Sequence, residues 1–211
     1  MEIYFVRHGD PDYENDSLTE LGRFQAEKTA ENLIKIPFDR VFASSMNRAV
    51  ETAKYLTDKT KQEITKLDWA REDRTWTYMH DVDENGNARW FFDVKKNHEV
   101  LKKNVGNPKW YENFPPVINQ VLVEDALELD KWLLSMNIVH KDGKYEIVGE
   151  TPKRIVFFAH GGFGLVFYSY ILDMDYPSVL IEYGQQELCG VAHFEITNDG
   201  AKLISHSKTY Y

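Results

Sequence analysis

Residues 154–162 read Arg154-Ile155-Val156-Phe157-Phe158-Ala159-His160-Gly161-Gly162. An uninterrupted apolar run this short, closed by a polar residue and two glycines, is the pattern of a strand buried on both faces. Such strands belong to parallel sheets covered by helices, and a hydrophobic helix is expected next, over residues 163–172. The chain begins in the same way. Glu2-Ile3-Tyr4-Phe5-Val6 reads as a strand running into Arg7-His8-Gly9 and then a polar loop with Asp10, Pro11, Asp12, Glu14 and Asp16.

Outward from these two strands the rhythm is β-α-β-α. Ser17 and Glu20 have capping-box spacing and Thr19 is a rival N-cap, so a helix is expected there, with Leu21, Phe24, Leu33 and Ile34 sharing a face. Pro37 ends it. Arg40-Val41-Phe42-Ala43 reads as a second strand, Ser44-Ser45 as a turn, and residues 47–57 as a helix. Residues 75–82 and 88–94 are aromatic-rich and flank Asp83-Glu84-Asn85-Gly86-Asn87, where Asn-Gly signals a hairpin. Residues 95–116 are basic and interrupted by Gly and Pro, which predicts an irregular loop or lid. A long amphipathic helix is expected over 117–136, burying Ile118, Val121, Leu122, Leu129, Trp132, Leu133 and Met136. Hairpins are expected over 138–148 around Asp142-Gly143, and over 191–205 around Asn198-Asp199-Gly200. The expected architecture is a single α/β domain over 1–211, three-layer α/β/α with a mostly parallel central sheet, in which 75–150 is an inserted cap segment.

The chain has 211 residues, 43% of them hydrophobic, enough for one sizeable core. No apolar window approaches the roughly 20 residues of a membrane span, and the start lacks the basic and apolar regions of a signal peptide. The single cysteine, Cys189, excludes an internal disulfide and suits a reducing compartment, so a cytoplasmic location is expected. A net charge of -9 speaks against nucleic-acid and anionic-membrane partners.

Three polar sites stand at the carboxyl ends of expected strands: Arg7-His8-Gly9, Ser44-Ser45-Met46-Asn47-Arg48 and His160-Gly161-Gly162. In open α/β sheets ligands bind at that edge. Two arginines, two histidines and the amides of a helix start form a clamp for a tetrahedral dianion, because guanidinium groups grip phosphate oxygens bidentately and helix N-termini attract anions. A neutral imidazole beside a held phosphate can attack phosphorus and become a phosphohistidine.

These motifs resemble the histidine phosphatase superfamily, also called phosphoglycerate-mutase-like. The resemblance rests on Val6-Arg7-His8-Gly9, Leu18-Thr19-Glu20-Leu21-Gly22-Arg23 with Gln25-Ala26, Ala43-Ser44-Ser45-Met46-Asn47-Arg48-Ala49 with Thr52-Ala53, and Ala159-His160-Gly161-Gly162. It implies that His8 is the phosphorylated nucleophile and that Arg7, Arg48 and His160, with Gly161, hold the phosphoryl oxygens. It also implies a general acid within Leu67-Asp68-Trp69-Ala70-Arg71-Glu72-Asp73-Arg74, with Glu72 the choice and Asp73 its rival. The chain departs from the family at Pro11 and Glu14, where many members carry threonine and asparagine, and Asn15 is expected to shift into the phosphate-contacting role. The acidic loop from Asp10 to Asp16 should repel multiply phosphorylated substrates. The implied activity is metal- and cofactor-independent hydrolysis of a small phosphomonoester. The alternatives are a phosphoglycerate-type mutase and a catalytically silent binder of a phospho-ligand or partner. Oligomeric state is not legible.

Other constellations carry blander readings. Residues 81–87 open like a calcium loop, but Arg89 and Phe92 occupy its ninth and twelfth positions, so a hairpin turn is preferred. His193, Glu195 and His206 read as polar strand faces rather than metal ligands. Lys95, Lys96, His98, Lys102, Lys103 and Lys109, with Trp110, Tyr111 and Phe114, read as a solvated loop or a substrate lid.

Overall fold

The computed structural model describes residues 1–82 and 86–211. Six strands form one sheet: β1 (Glu2–Arg7), β2 (Arg40–Ser44), β3 (Ile64–Leu67), β4 (Arg154–Ala159), β5 (Val191–Thr197) and β6 (Gly200–Lys208). Their spatial order is β6-β5-β1-β4-β2-β3, with β1, β4, β2 and β3 parallel and β5 and β6 antiparallel at one side. Among the described residues seven α-helices accompany them: α1 (Glu20–Leu33), α2 (Asn47–Thr60), α3 (Asp73–Tyr78), α4 (Val94–Asn104), α5 (Pro116–Leu134), α6 (Gly161–Leu172) and α7 (Tyr176–Glu182). Short hairpins pair His80–Val82 with Ala88–Trp90 and Ile138–Lys141 with Lys144–Ile147.

The two faces of the sheet belong to different cores, as strand alternation requires. Val6, Val41, Ala43, Val156 and Phe158 point toward Ala30 and Leu33 of α1 and Val50, Ala53 and Leu56 of α2. Ile3, Phe5, Phe42, Ile155 and Phe157 point the other way, toward Leu129, Trp132 and Leu133 of α5 and Phe163 and Phe167 of α6. The central sheet with helices on both faces is the expected three-layer α/β/α arrangement.

Several expectations change on contact with the structure. Helix α1 is capped by Thr19, which accepts from Gly22 N at 3.1 Å. Its buried face is Gly22, Gln25, Ala26, Thr29, Ala30 and Leu33, a helical stripe of mostly small or polar residues. Leu21, Phe24 and Ile34 are exposed. The cause is proximity: a Cβ on Gly22 would lie 2.2 Å from the Asp10 carbonyl oxygen, so only small residues allow the helix to approach the loop after β1.

Residues 95–116 are not an irregular lid. Asp93 caps α4, accepting from Lys96 N, and a 3₁₀ turn spans Trp110–Asn113. Leu101, Trp110 and Phe114 are buried in the main core, so the basic residues are the solvent face of an ordered segment. Residues 75–78 lie within α3 rather than a strand, and α7 carries no expectation from the sequence. The turn expected at 83–87 and its calcium-loop alternative fall on residues 83–85, outside the described residues. No helix among the described residues is long and apolar enough to cross a membrane.

Candidate active site

Register brings the motifs together. Arg7 pairs with Ala159 across β1 and β4, so His8 and His160 are the next residues along two adjacent parallel strands. Ala43 faces Phe158 across β4 and β2, which sets Ser44 and then Arg48 beside them. His8 and His160 are fully buried, their rings 5.2 Å apart at an interplanar angle of 61°.

His8 has its tautomer fixed by the backbone of the next residue. Nδ1 lies 2.7 Å from the Gly9 carbonyl oxygen, which can only accept, so Nδ1 carries the hydrogen and Nε2 the lone pair. That Nε2 is buried and has no hydrogen-bond partner. Burial, then the neighbouring His160, lowers the imidazole to about 3, which keeps it neutral at physiological pH. His160 is also pushed well below its ordinary value, by burial and then by Arg48 and Arg7. Its Nε2 is 2.8 Å from Ser44 Oγ, and its Nδ1 is free of hydrogen bonds.

Arg48, on the first turn of α2, is 3% exposed and already paired twice. Nη1 lies 2.6 Å from Asp16 Oδ1 and Nη2 3.1 Å from Glu72 Oε2. The guanidinium also stands over the Tyr13 ring, 5.5 Å from its centroid. Asp16 has a second task, since its other oxygen accepts from Asn47 N at 2.7 Å and so caps α2. Arg7 donates from Nη1 to the Gln186 carbonyl at 2.5 Å, and its Nε is buried without a partner. The Arg7 guanidinium lies against Gly161, where a Cβ would come within 3.0 Å of Cζ. Thr52 ties the pieces together, accepting from Gly9 N and donating to the Arg48 carbonyl.

Glu72 is 5% exposed and stands just before α3. Besides Arg48, it accepts from Gly162 N at 2.8 Å, so it occupies the amide end of α6. A side chain at Gly162 would crowd it, because a Cβ there would lie 3.3 Å from Glu72 Oε1. Asp73, the rival acid, is exposed and paired with Arg71 at 2.9 Å. Asn15 is not brought to the clamp: it is exposed and donates its side-chain amide to Asp12 at 2.8 Å within the loop. Of the acidic loop residues, Asp16 alone reaches Arg48, while Asp10 accepts from the Thr19 hydroxyl and Asp12 from the amides of Glu14 and Asn15.

A cleft of about 440 Å³ opens beside Arg48, lined also by Tyr13, Met46, Asp73, Trp76 and Thr77. Tyr13 and Trp76 were not singled out by sequence reasoning. An exposed aromatic in an acidic loop five residues past His8 was the available signal for Tyr13. Among the described residues, one group of three could hold a metal ion. One ligating atom each from His8, Glu72 and His160 lie within 4.8 Å of one another. His193 is drawn instead to Glu2, and His206 to the Tyr168 hydroxyl.

Comparison with known proteins bears on the family and the fold. The model of the histidine phosphatase superfamily (branch 1) matches residues 3–107. A probable phosphatase of Schizosaccharomyces pombe is 35% identical over 82 residues, a match that covers 34% of this chain and 39% of that protein. The native mycobacterial glucosyl-3-phosphoglycerate phosphatase superposes with a TM-score of 0.66 at 17% identity, over 99% of each chain. Phosphoserine phosphatase from Entamoeba histolytica, bound to 3-phosphoglyceric acid, superposes with a TM-score of 0.62 at 18% identity, over 99% of this chain and 97% of that one. At these identities the superpositions speak for the fold.

Proposed function

This chain belongs to the histidine phosphatase superfamily, and on that premise we propose that it hydrolyses a small phosphate monoester through a phosphohistidine at His8. The observation that carries the reading is the setting of His8: buried, with Nδ1 against the Gly9 carbonyl and Nε2 left unpartnered. In the first step that nitrogen attacks phosphorus in line with the leaving oxygen, and the P–O bond to the alcohol breaks. Arg7, Arg48 and His160 take the phosphoryl oxygens, supplying preorganised positive charge and hydrogen bonds as the transition state forms.

Glu72 gives the departing alkoxide its proton and in the second step takes one from the attacking water. Substrate phosphate competes with Glu72 for Arg48, and a proton on the carboxyl relieves the repulsion between the two anions. His8 is regenerated and inorganic phosphate leaves. The arginines supply the charge that a metal would bring, so the reaction is read as metal-independent. His8, Glu72 and His160 each offer one ligating atom within 4.8 Å of the others, and all three have a role in this chemistry.

The Asp16 carboxylate beside Arg48 favours a monophosphate with a neutral or cationic organic part over a bisphosphate. Of the segment 75–150, Trp76 and Thr77 wall the leaving-group side, whereas α5 packs against the sheet within the main core of a single domain. The buried thiol of Cys189 is consistent with a cytoplasmic setting.

The test is rapid quench of the enzyme with a ³²P-labelled monoester. Acid-labile, base-stable label on wild-type enzyme, lost in His8→Ala, with phosphate release insensitive to chelator, is expected. Active enzyme without such label would overturn the covalent route, and isomerisation without net phosphate release would favour a mutase.

A further inference from the structure

The wall of the cleft beside Arg48 is aromatic, and its rings are open to solvent. Tyr13 is 59% exposed and Trp76 38%, whereas Phe5, Phe157 and Phe163, on the sheet and on α6, are fully buried. The two cleft rings stand 6.5 Å apart, inclined at 69°. Trp76 is braced from behind by Trp90 at 4.9 Å and Phe92 at 5.5 Å. Its backbone is held as well, because the Trp90 indole donates to the Trp76 carbonyl at 3.0 Å. A second depression of about 530 Å³ continues past Trp76 along Trp90 and Phe92 to Lys95 and Gln185.

Tyr13 links this wall to the phosphate clamp directly, since its ring lies under the Arg48 guanidinium. A phosphate held by Arg48 therefore carries its organic part over Tyr13 and against Trp76. Rigid aromatic faces beside a cation recognise flat π-systems by stacking and edge contacts better than they recognise saturated chains. The carboxylate lining the cleft, Asp73, is paired with Arg71, so the wall makes no demand for charge on the leaving group.

The geometry points to a phosphate monoester whose leaving group carries a planar aromatic or heteroaromatic ring, stacked on Trp76 and bordered by Tyr13. This rests on the phosphatase reading for its chemistry but not for its binding, and the two can be tested apart. Calorimetry with non-hydrolysable phosphonates measures binding alone: 2-naphthylmethylphosphonate, its decahydro analogue and methylphosphonate share one dianionic head. The naphthyl compound is expected to bind at least roughly tenfold tighter than methylphosphonate and about threefold tighter than the saturated analogue.

Trp76→Ala should bring the naphthyl-to-methyl ratio within about twofold, and Tyr13→Ala should reduce it less. Both ratios are taken within one protein, so a general loss of folded enzyme cancels, and Trp76→Phe should restore most of the preference. Equal binding of the naphthyl and methyl compounds, or of the flat and saturated ones, overturns the inference. If the preference holds but 2-naphthylmethyl phosphate releases no phosphate, the cleft assignment stands and the hydrolase reading falls.

Discussion

Arg7, His8, Arg48 and His160 stand at or just past the ends of parallel strands, and His8, Arg48 and His160 are almost completely buried. Tyr13, Trp76 and Trp90 sit on a surface loop, a six-residue helix and a short hairpin, with rings partly open to water. The first group is positioned by sheet register, which a single-residue slip would destroy, since every neighbouring strand would have to move with it. The second is positioned by ring packing and a few backbone bonds, which admit substitution one residue at a time. The contrast teaches that the clamp and the wall are held by different forces and meet at Tyr13 under Arg48; in the proposed reading the first decides whether phosphorus is attacked and the second what hangs from it.

The comparison breaks most visibly at His8. His8→Ala should lower phosphate release by roughly four orders of magnitude for every monoester, because in the proposed route it removes the nucleophile and not a specificity contact. A progress-curve assay on p-nitrophenyl phosphate and on an alkyl phosphate would detect a uniform loss. A loss confined to one substrate would place His8 with the wall.

Glu72→Gln comes next. It keeps the shape that accepts from Gly162 N but cannot give a proton, so kcat should fall about 100- to 1,000-fold for alkyl phosphates and less for p-nitrophenyl phosphate, whose leaving group needs little help. Similar losses for both would remove Glu72 from the proton-transfer role.

Gly22→Ala tests the framework under the clamp. With its Cβ placed 2.2 Å from the Asp10 carbonyl, α1 must shift away from the loop after β1. The expected cost is about 3 kcal/mol in urea unfolding, the upper end for overpacking at a well-packed site. Exposed Leu21→Ala on the same helix should cost less than about 0.5 kcal/mol.

The smallest effect is set by pH. His8 titrates near 3 in the folded protein and near 6.5 when unfolded, so the unfolded chain binds the extra proton over that interval. Stability is therefore fully present above about pH 6.5 and declines as pH falls toward about 3, by up to about 1.4 kcal/mol per pH unit for this one group. The urea midpoint of wild type should fall relative to that of His8→Asn on going from pH 7 to 5.5 and 4.5. Parallel curves would mean that His8 is not held neutral by its surroundings.

The four strand-end residues were legible because strand periodicity and the parallel βα rhythm place them at one edge, whatever the details of packing. Glu72 was legible only through the resemblance, since a carboxylate between two arginines looks like surface charge until Gly162 N is seen to meet it. The face of α1 misled for a physical reason: large apolar residues usually mark the buried side, but here close backbone approach selects Gly22, and its stripe with Ala26 and Ala30 turns inward. Asn15 was misplaced because the Asp12 carboxylate gathers the loop's amides, Asn15's included. Helix α4 was hidden by its lysines, which mask the spacing of Asn97, Leu101 and Asn104 on its buried side.

Asp16 gives the clamp a resident anion. It is tethered at a cap of α2, so its effective concentration at Arg48 is on the order of millimolar for a short flexible link, and higher for a preorganised one. If Arg48 holds substrate phosphate as proposed, it exchanges one anion for another rather than filling an empty seat. On that reading the affinity for phosphate is a difference between two attractions, which would blunt retention of the product as well as of the substrate. Turnover limited by phosphate departure would be quickened by this competitor built into the chain, at the expense of a higher working concentration of substrate.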